Sequence, residues 1–181
     1  MTCIVGVVYG KNVWLGGDRA ATSGNLNRTI IKDPKVFVKE NIGFGVCGLP
    51  KVMDTLQYHI EIPVYNGENV KTYLVSSVIP AIRSGLKAMD CTVHHEGQDY
   101  FEGAMLVAFN GRLFELEANF QLVESSKGFN AVGSGAEPAL GSLRATKGNP
   151  RTRLLQALQT SAENNAGVAP PFDVIEIKRQ K

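Results

Sequence analysis

Thr2 pairs a side-chain hydroxyl with, once Met1 is removed, a free α-amine on the same residue. A threonine hydroxyl is a weak nucleophile until a neighbouring base takes its proton. An α-amine titrates at about pH 8, close enough to neutrality to serve as that base. Threonine at a second position says little alone, but other residues with matching chemistry follow at strand ends. Asp18 closes an apolar run inside Gly16-Gly17-Asp18-Arg19-Ala20-Ala21-Thr22-Ser23-Gly24, from which it can reach the start of a neighbouring first strand. Lys35 stands directly before Val36-Phe37-Val38, with Lys32 as a competitor three residues earlier. Gly48 follows another apolar run and precedes a helical pattern, a junction where backbone N–H groups are unpaired and point outward. Gly133-Ser134-Gly135 repeats that strand-to-helix junction.

The elements that must position these groups are legible from hydrophobic periodicity. Strand-like runs cover residues 2–9 and 13–17 around a Gly10-Lys11-Asn12 turn, then 29–31, 36–39 and 42–47, with a loop at 23–27. Apolar residues at three- and four-residue spacing predict helices over 49–60 and 70–88, the second with Pro80 as a possible kink. Strands return at 104–109, 113–117 and 121–123, the first two joined by the hairpin signal Asn110-Gly111. A strand at 129–133 leads to helices at 138–143 and 151–164, and a last strand covers 172–177. Blocks of strands alternating with helix pairs imply antiparallel sheets with helices layered outside, an α+β class. His94-His95-Glu96 reads as a polar loop, since adjacent histidines project differently and no third metal ligand is usefully spaced.

In their order along the chain, these features resemble the proteasome β subunits and bacterial HslV-type peptidases of the N-terminal nucleophile hydrolases. Thr2 leads an apolar strand, Asp18-x-x-Ala21-Thr22-x-Gly24 follows, then Lys35-Val36 and Gly48, with Gly133-Ser134-Gly135 at the corresponding distance. The resemblance implies a four-layer αββα sandwich of two antiparallel sheets flanked by helices, a single domain over residues 1–181. It makes Thr2 the nucleophile, its own amine the base, and Asp18 and Lys35 the supporting pair. A lysine ammonium beside an amine disfavours a second positive charge there and keeps the amine basic. Gly48 becomes the oxyanion donor, and Ser134 a proton relay near the amine. Thr22, Leu49 and Pro50 fall where substrate backbone pairs as an added strand, and Val46 where the specificity pocket is shaped. The family's second acid lies three residues before a Ser-Gly pair; here Glu163-Asn164-Asn165-Ala166-Gly167 occupies that region, making Glu163 the stand-in.

Composition bounds the remainder. With 44% hydrophobic and 20% charged residues and a net charge of +2, neither nucleic acid nor an anionic membrane is indicated as a partner. No apolar run approaches the roughly 20 residues of a membrane span, and the opening lacks an export-signal pattern. Cys3, Cys47 and Cys91 are scattered without C-x-x-C spacing, so neither disulfides nor a zinc site is suggested. Cytoplasmic residence is the simplest expectation, with no cofactor or metal. The resemblance further implies peptide or unfolded-protein substrates and a homo-oligomer of stacked rings, of six- or seven-fold symmetry. Residues 49–60 and 70–88 would supply contact surfaces, and a separate ATP-driven unfoldase would feed the chamber, since no nucleotide-binding loop is present. Two alternatives remain: a catalytically silent ring subunit that keeps Met1, and a small-molecule amidase of the same superfamily.

Overall fold

A computed structural model describes residues 1–23 and 27–180. The strand β1 (Ile4–Tyr9) lies at the centre of a four-stranded antiparallel sheet, between β2 (Asn12–Asp18) and β12 (Phe129–Val132), with β13 (Phe172–Ile177) on the far side of β2. A second antiparallel sheet runs in the order β11 (Leu122–Glu124), β10 (Arg112–Leu116), β9 (Gly103–Phe109), β6 (Ile42–Gly48) and β5 (Val36–Lys39). The short pair β3 (Ala20–Thr22) and β4 (Arg28–Ile30) continues beyond Asp18.

Period-two alternation assigns each face of β1 to a different layer. Ile4 packs between the sheets with Val13, Leu15, Val36, Leu106, Ala108, Val132 and Ile177. Cys3, Val5 and Val7 face the other way, against Leu143 of α4 (Ala136–Ala145) and Leu154, Ala157 and Leu158 of α5 (Pro150–Asn164). On the outer side of the second sheet, Phe44, Val46, Met105 and Val107 pack against Val52, Leu56, Ile82 and Leu86 from the first helical block. The result is the αββα sandwich that the resemblance implies, within the α+β class read from the element order.

Three local readings are corrected. The two early helices are not continuous. A π-helical turn (Thr55–His59) follows α1 (Pro50–Asp54), and another (Leu74–Val78) separates α2 (Val70–Tyr73) from α3 (Ile79–Ala88). Lys39 Nζ donates to the carbonyls of Leu56 and Gln57 at 3.1 and 2.8 Å, capping the first of these turns from β5. Second, the polar loop around His94 is a hairpin, β7 (Thr92–His95) with β8 (Gln98–Phe101), turned by Glu96 and Gly97 at φ 48° and 80°. Its buried Asp99 accepts from Arg83 Nη2 at 2.8 Å and pairs with His94 Nδ1 at 2.8 Å. Third, the apolar residues of the early helices do not form a spare surface. Val52, Leu56, Leu74, Val78, Ile82 and Leu86 are buried in the chain's own core, while Leu49, Tyr58 and Val75 are exposed. Of the loop expected at 23–27, Gly24, Asn25 and Leu26 lie outside the described residues.

Candidate active site

The first strand begins at Ile4, and Thr2 sits just ahead of it at 6% exposure. Its placement follows from the sheet. Cys3 N–H donates to Asp18 Oδ1 at 2.9 Å, and Ala20 N–H donates to Asp18 Oδ2 at 2.9 Å. Asp18, wholly buried at the end of β2, thus gathers the head of β1 and the start of β3 around one carboxylate. Lys35 reaches the same point from the residue before β5. Its Nζ donates to Asp18 Oδ1 at 3.0 Å, to Thr2 Oγ1 at 3.0 Å and to the Ala20 carbonyl at 2.6 Å. Three acceptors satisfy all three N–H bonds of an ammonium. Burial lowers the Lys35 pKa, and the neighbouring Asp18 carboxylate opposes that shift. Lys32, the competitor, is exposed and outside this cluster, whereas the favoured Lys35 lies within it.

Thr2, Thr22, Lys35, Val46, Gly48, Leu49 and Pro50 line one cleft of about 130 Å³, together with Met1, Ala20, Ala21, Ile31 and Met53. Gly48 is held at φ 119° opposite Gly103 at φ 128°, and the two backbones approach closely. A Cβ at residue 48 would lie 2.0 Å from the Glu102 carbonyl oxygen. Only glycine fits that conformation and that gap. Ser134 comes from the turn after β12: Thr2 N–H donates to Ser134 Oγ at 3.2 Å, and Gly135 N–H donates to the Thr2 carbonyl at 3.1 Å.

Glu163 is not part of this group. It lies on the exposed side of α5, where it accepts from Gln159 Nε2 at 3.0 Å, while the buried Ser161 faces the Ser134 turn. Two residues on a helix turn a side chain about 200° away, so Ser161 and Glu163 cannot share a face. Asn165, just past the helix, reaches the turn instead and donates from Nδ2 to the Ser134 carbonyl at 2.8 Å.

The sequence reading missed Asn165, the Ala20 carbonyl and Met53. Met53 had a signal, since it lies one helical turn beyond Leu49 and Pro50 and so shares their side of the helix. The Ala20 carbonyl had none, being a backbone group.

With Met1 in place the site is capped. The Met1 amine donates to Thr22 Oγ1 at 3.2 Å, the Thr2 hydroxyl donates to the Met1 carbonyl at 2.6 Å, and the Met1 side chain lies over Gly167. The nitrogen of Thr2 is then an amide, with no lone pair for a proton. Behind the site, burial pushes the Cys3 thiol up to about 11 and raises that of Cys47.

No protein-family model matches the sequence. A curated relative, proteasome subunit beta 2 of Thermomonospora curvata, is 29% identical over 184 residues, covering 94% of this chain. The chain spans 64% of that relative's length. Among solved structures, Thiobacillus denitrificans BPH in complex with epoxomicin superposes with a TM-score of 0.80 at 15% identity, over 99% of this chain and 100% of its own. Eukaryotic HslV from Trypanosoma brucei gives a TM-score of 0.68 at 14% identity, over 98% and 99% of the two chains. Identities this low speak for the shared fold alone. The chain shares the fold of BPH and HslV, and its sequence is similar to that of a proteasome β subunit.

Proposed function

We propose that the chain, once freed of Met1, is a threonine endopeptidase acting on peptides or unfolded protein. The observation that carries this reading is the buried contact of Lys35 Nζ with both Thr2 Oγ1 and Asp18 Oδ1, each at 3.0 Å, on the wall of a cleft. An ammonium at that distance stabilises negative charge developing on the hydroxyl oxygen. In the reading, the Thr2 amine takes the hydroxyl proton as Oγ1 bonds to the scissile carbonyl carbon. The negative charge on the carbonyl oxygen is met by the Gly48 N–H. The amine then passes its proton to the departing peptide nitrogen as the C–N bond breaks, leaving an ester on Thr2. A water molecule, deprotonated by the same amine, hydrolyses that ester and restores the hydroxyl. Thr22, Leu49 and Pro50 flank the substrate backbone, Pro50 through its carbonyl alone. Val46, Ile31 and Met53 favour a modest aliphatic side chain on the acyl side of the cleaved bond.

Stacked rings, cytoplasmic residence and a separate unfoldase belong to the same reading. They are motivated by the family and by the hazard of an open, sequence-tolerant site. Exposed Tyr58, Val64 and Val75 supply apolar surface for contacts between copies.

The test uses protein produced with Thr2 as its first residue. Turnover of fluorogenic peptides and Thr2-dependent binding of epoxomicin are expected, and both vanish in Thr2→Ala. Equal hydrolysis by the alanine variant would defeat the assignment. The second reading, a silent subunit, is favoured by the bonds that seat Met1. Intact mass from the native host that retains Met1 throughout would select it.

A further inference from the structure

We propose that Asn165 is a positioning residue: its neutral amide holds the Ser134 turn against Thr2, in a place where the chain has no acid. The proposal rests on Thr2 being the nucleophile. Asn165 is extended at the end of α5, with φ −142° and ψ 113°. Its Nδ2 donates to the Ser134 carbonyl at 2.8 Å, and its Oδ1 accepts from Gly167 N–H at 2.9 Å. A carbonyl only accepts and a backbone N–H only donates, so the two partners fix which way the amide points. One peptide further along the same turn, the Gly135 carbonyl accepts from Ser161 Oγ at 2.9 Å. Two successive carbonyls of the turn are therefore tied to α5 and the residue beyond it.

The opposite side of the turn faces Thr2. Thr2 N–H donates to Ser134 Oγ at 3.2 Å, Ser134 Oγ donates to the Thr2 carbonyl at 3.4 Å, and Gly135 N–H donates to that same carbonyl at 3.1 Å. Two hydrogen bonds joined through Ser134 itself link Asn165 to the nitrogen that becomes the base, and the Ser134–Gly135 peptide links it to the Thr2 carbonyl. A carboxylate at residue 165 could keep the Gly167 bond, but its second oxygen would face the Ser134 carbonyl, oxygen against oxygen. The site requires a donor there.

Asn165→Asp isolates that requirement, because it preserves shape and the Gly167 acceptor while deleting the donor. Asn165→Ala removes both. In protein starting at Thr2, both variants should lose about tenfold in kcat, the scale of one hydrogen bond, with KM within twofold of the unsubstituted protein. If the side chain serves only to cap the Gly167 turn, Asn165→Asp keeps full kcat; that result, or a gain, overturns the proposal. A second readout is independent of turnover. In protein retaining Met1, amide exchange at Thr2 should speed up about tenfold in Asn165→Asp, and an unchanged rate likewise overturns the proposal. Faster exchange with no turnover by the unsubstituted Thr2-first protein would uphold the Asn165 link and defeat the peptidase reading.

Discussion

Replacing Lys35 by methionine removes one charge and nearly no volume, from a group that touches Thr2, Asp18 and Ala20 at once. At 3.0 Å and an effective dielectric of about 20, an ammonium stabilises charge on Thr2 Oγ1 by about 5.5 kcal/mol, or roughly ten-thousandfold in rate. Asp18, paired to the same ammonium, opposes part of that field, so a loss of about 10³- to 10⁴-fold in kcat is expected. Stability should fall as well. Asp18 is wholly buried and would lose its counter-ion, although the Cys3 and Ala20 N–H bonds at 2.9 Å would remain. Breaking a buried pair costs about 3–5 kcal/mol, and two retained donors argue for the lower end. The assay is single-turnover acylation of Thr2 by a fluorogenic peptide in the Thr2-first protein, run beside urea unfolding of the same samples. Thr2→Ala serves as the zero. Acylation by a folded Lys35→Met variant within tenfold of the unsubstituted rate would refute the role given to the ammonium.

Gly48→Ala should destabilise the fold by about 3 kcal/mol or more in urea unfolding, through a left-handed φ and the collision with the Glu102 carbonyl. A near-neutral result would mean that β6 and β9 can separate there. Met53→Ala enlarges the cleft, so kcat/KM for an aromatic over a valine residue on the acyl side should rise about tenfold; an unchanged ratio places that side chain elsewhere. Cys3 keeps its proton up to about pH 11 when folded, against an ordinary 9.0, so the unfolded chain ionises first as pH rises. Its contribution is intact below about pH 9 and falls away by about pH 11, roughly 2–3 kcal/mol in all. Cys3→Ala should therefore gain ground on the unsubstituted protein over that interval in urea midpoints, and a constant gap would contradict the assignment.

Residues whose chemistry is set by their place on a strand were legible in advance. Asp18 and Lys35 stand at ends of apolar runs; antiparallel pairing of β1 with β2 sets Asp18 beside the head of β1, and the packing of the two sheets brings Lys35, just ahead of β5, to the same point. Lys35 prevails over Lys32 because it immediately precedes the buried Val36, which inserts between the sheets. Glu163 was misplaced because spacing along a sequence does not say which side of a helix a residue occupies. The burial of Ser161, Leu158 and Leu154 decides that. The hairpin at β7 and β8 carried half a signal, since Gly97 suits a left-handed position but Glu96 does not favour one as Asn110 does. Its polar side chains concealed the pattern. The π-helical turns had no local sign, and the Lys39 cap on the first of them comes from a different sheet strand.

Gly48 and Gly103 amount to a single structural letter written at two places in the chain. Each lies in the space a Cβ on the other strand's glycine would need, so neither can acquire a side chain while the strands stay paired. The direction in which residue 48 presents its amide is therefore inherited from β9, a strand that contributes no side chain to the chemistry. Mutational drift at this corner has to pass through a broken ladder, with no intermediate in which one glycine has changed and the pairing survives. In the proposed mechanism, an alteration at residue 103 would be felt as a fault in anion stabilisation, although that mechanism gives residue 103 no contact with substrate.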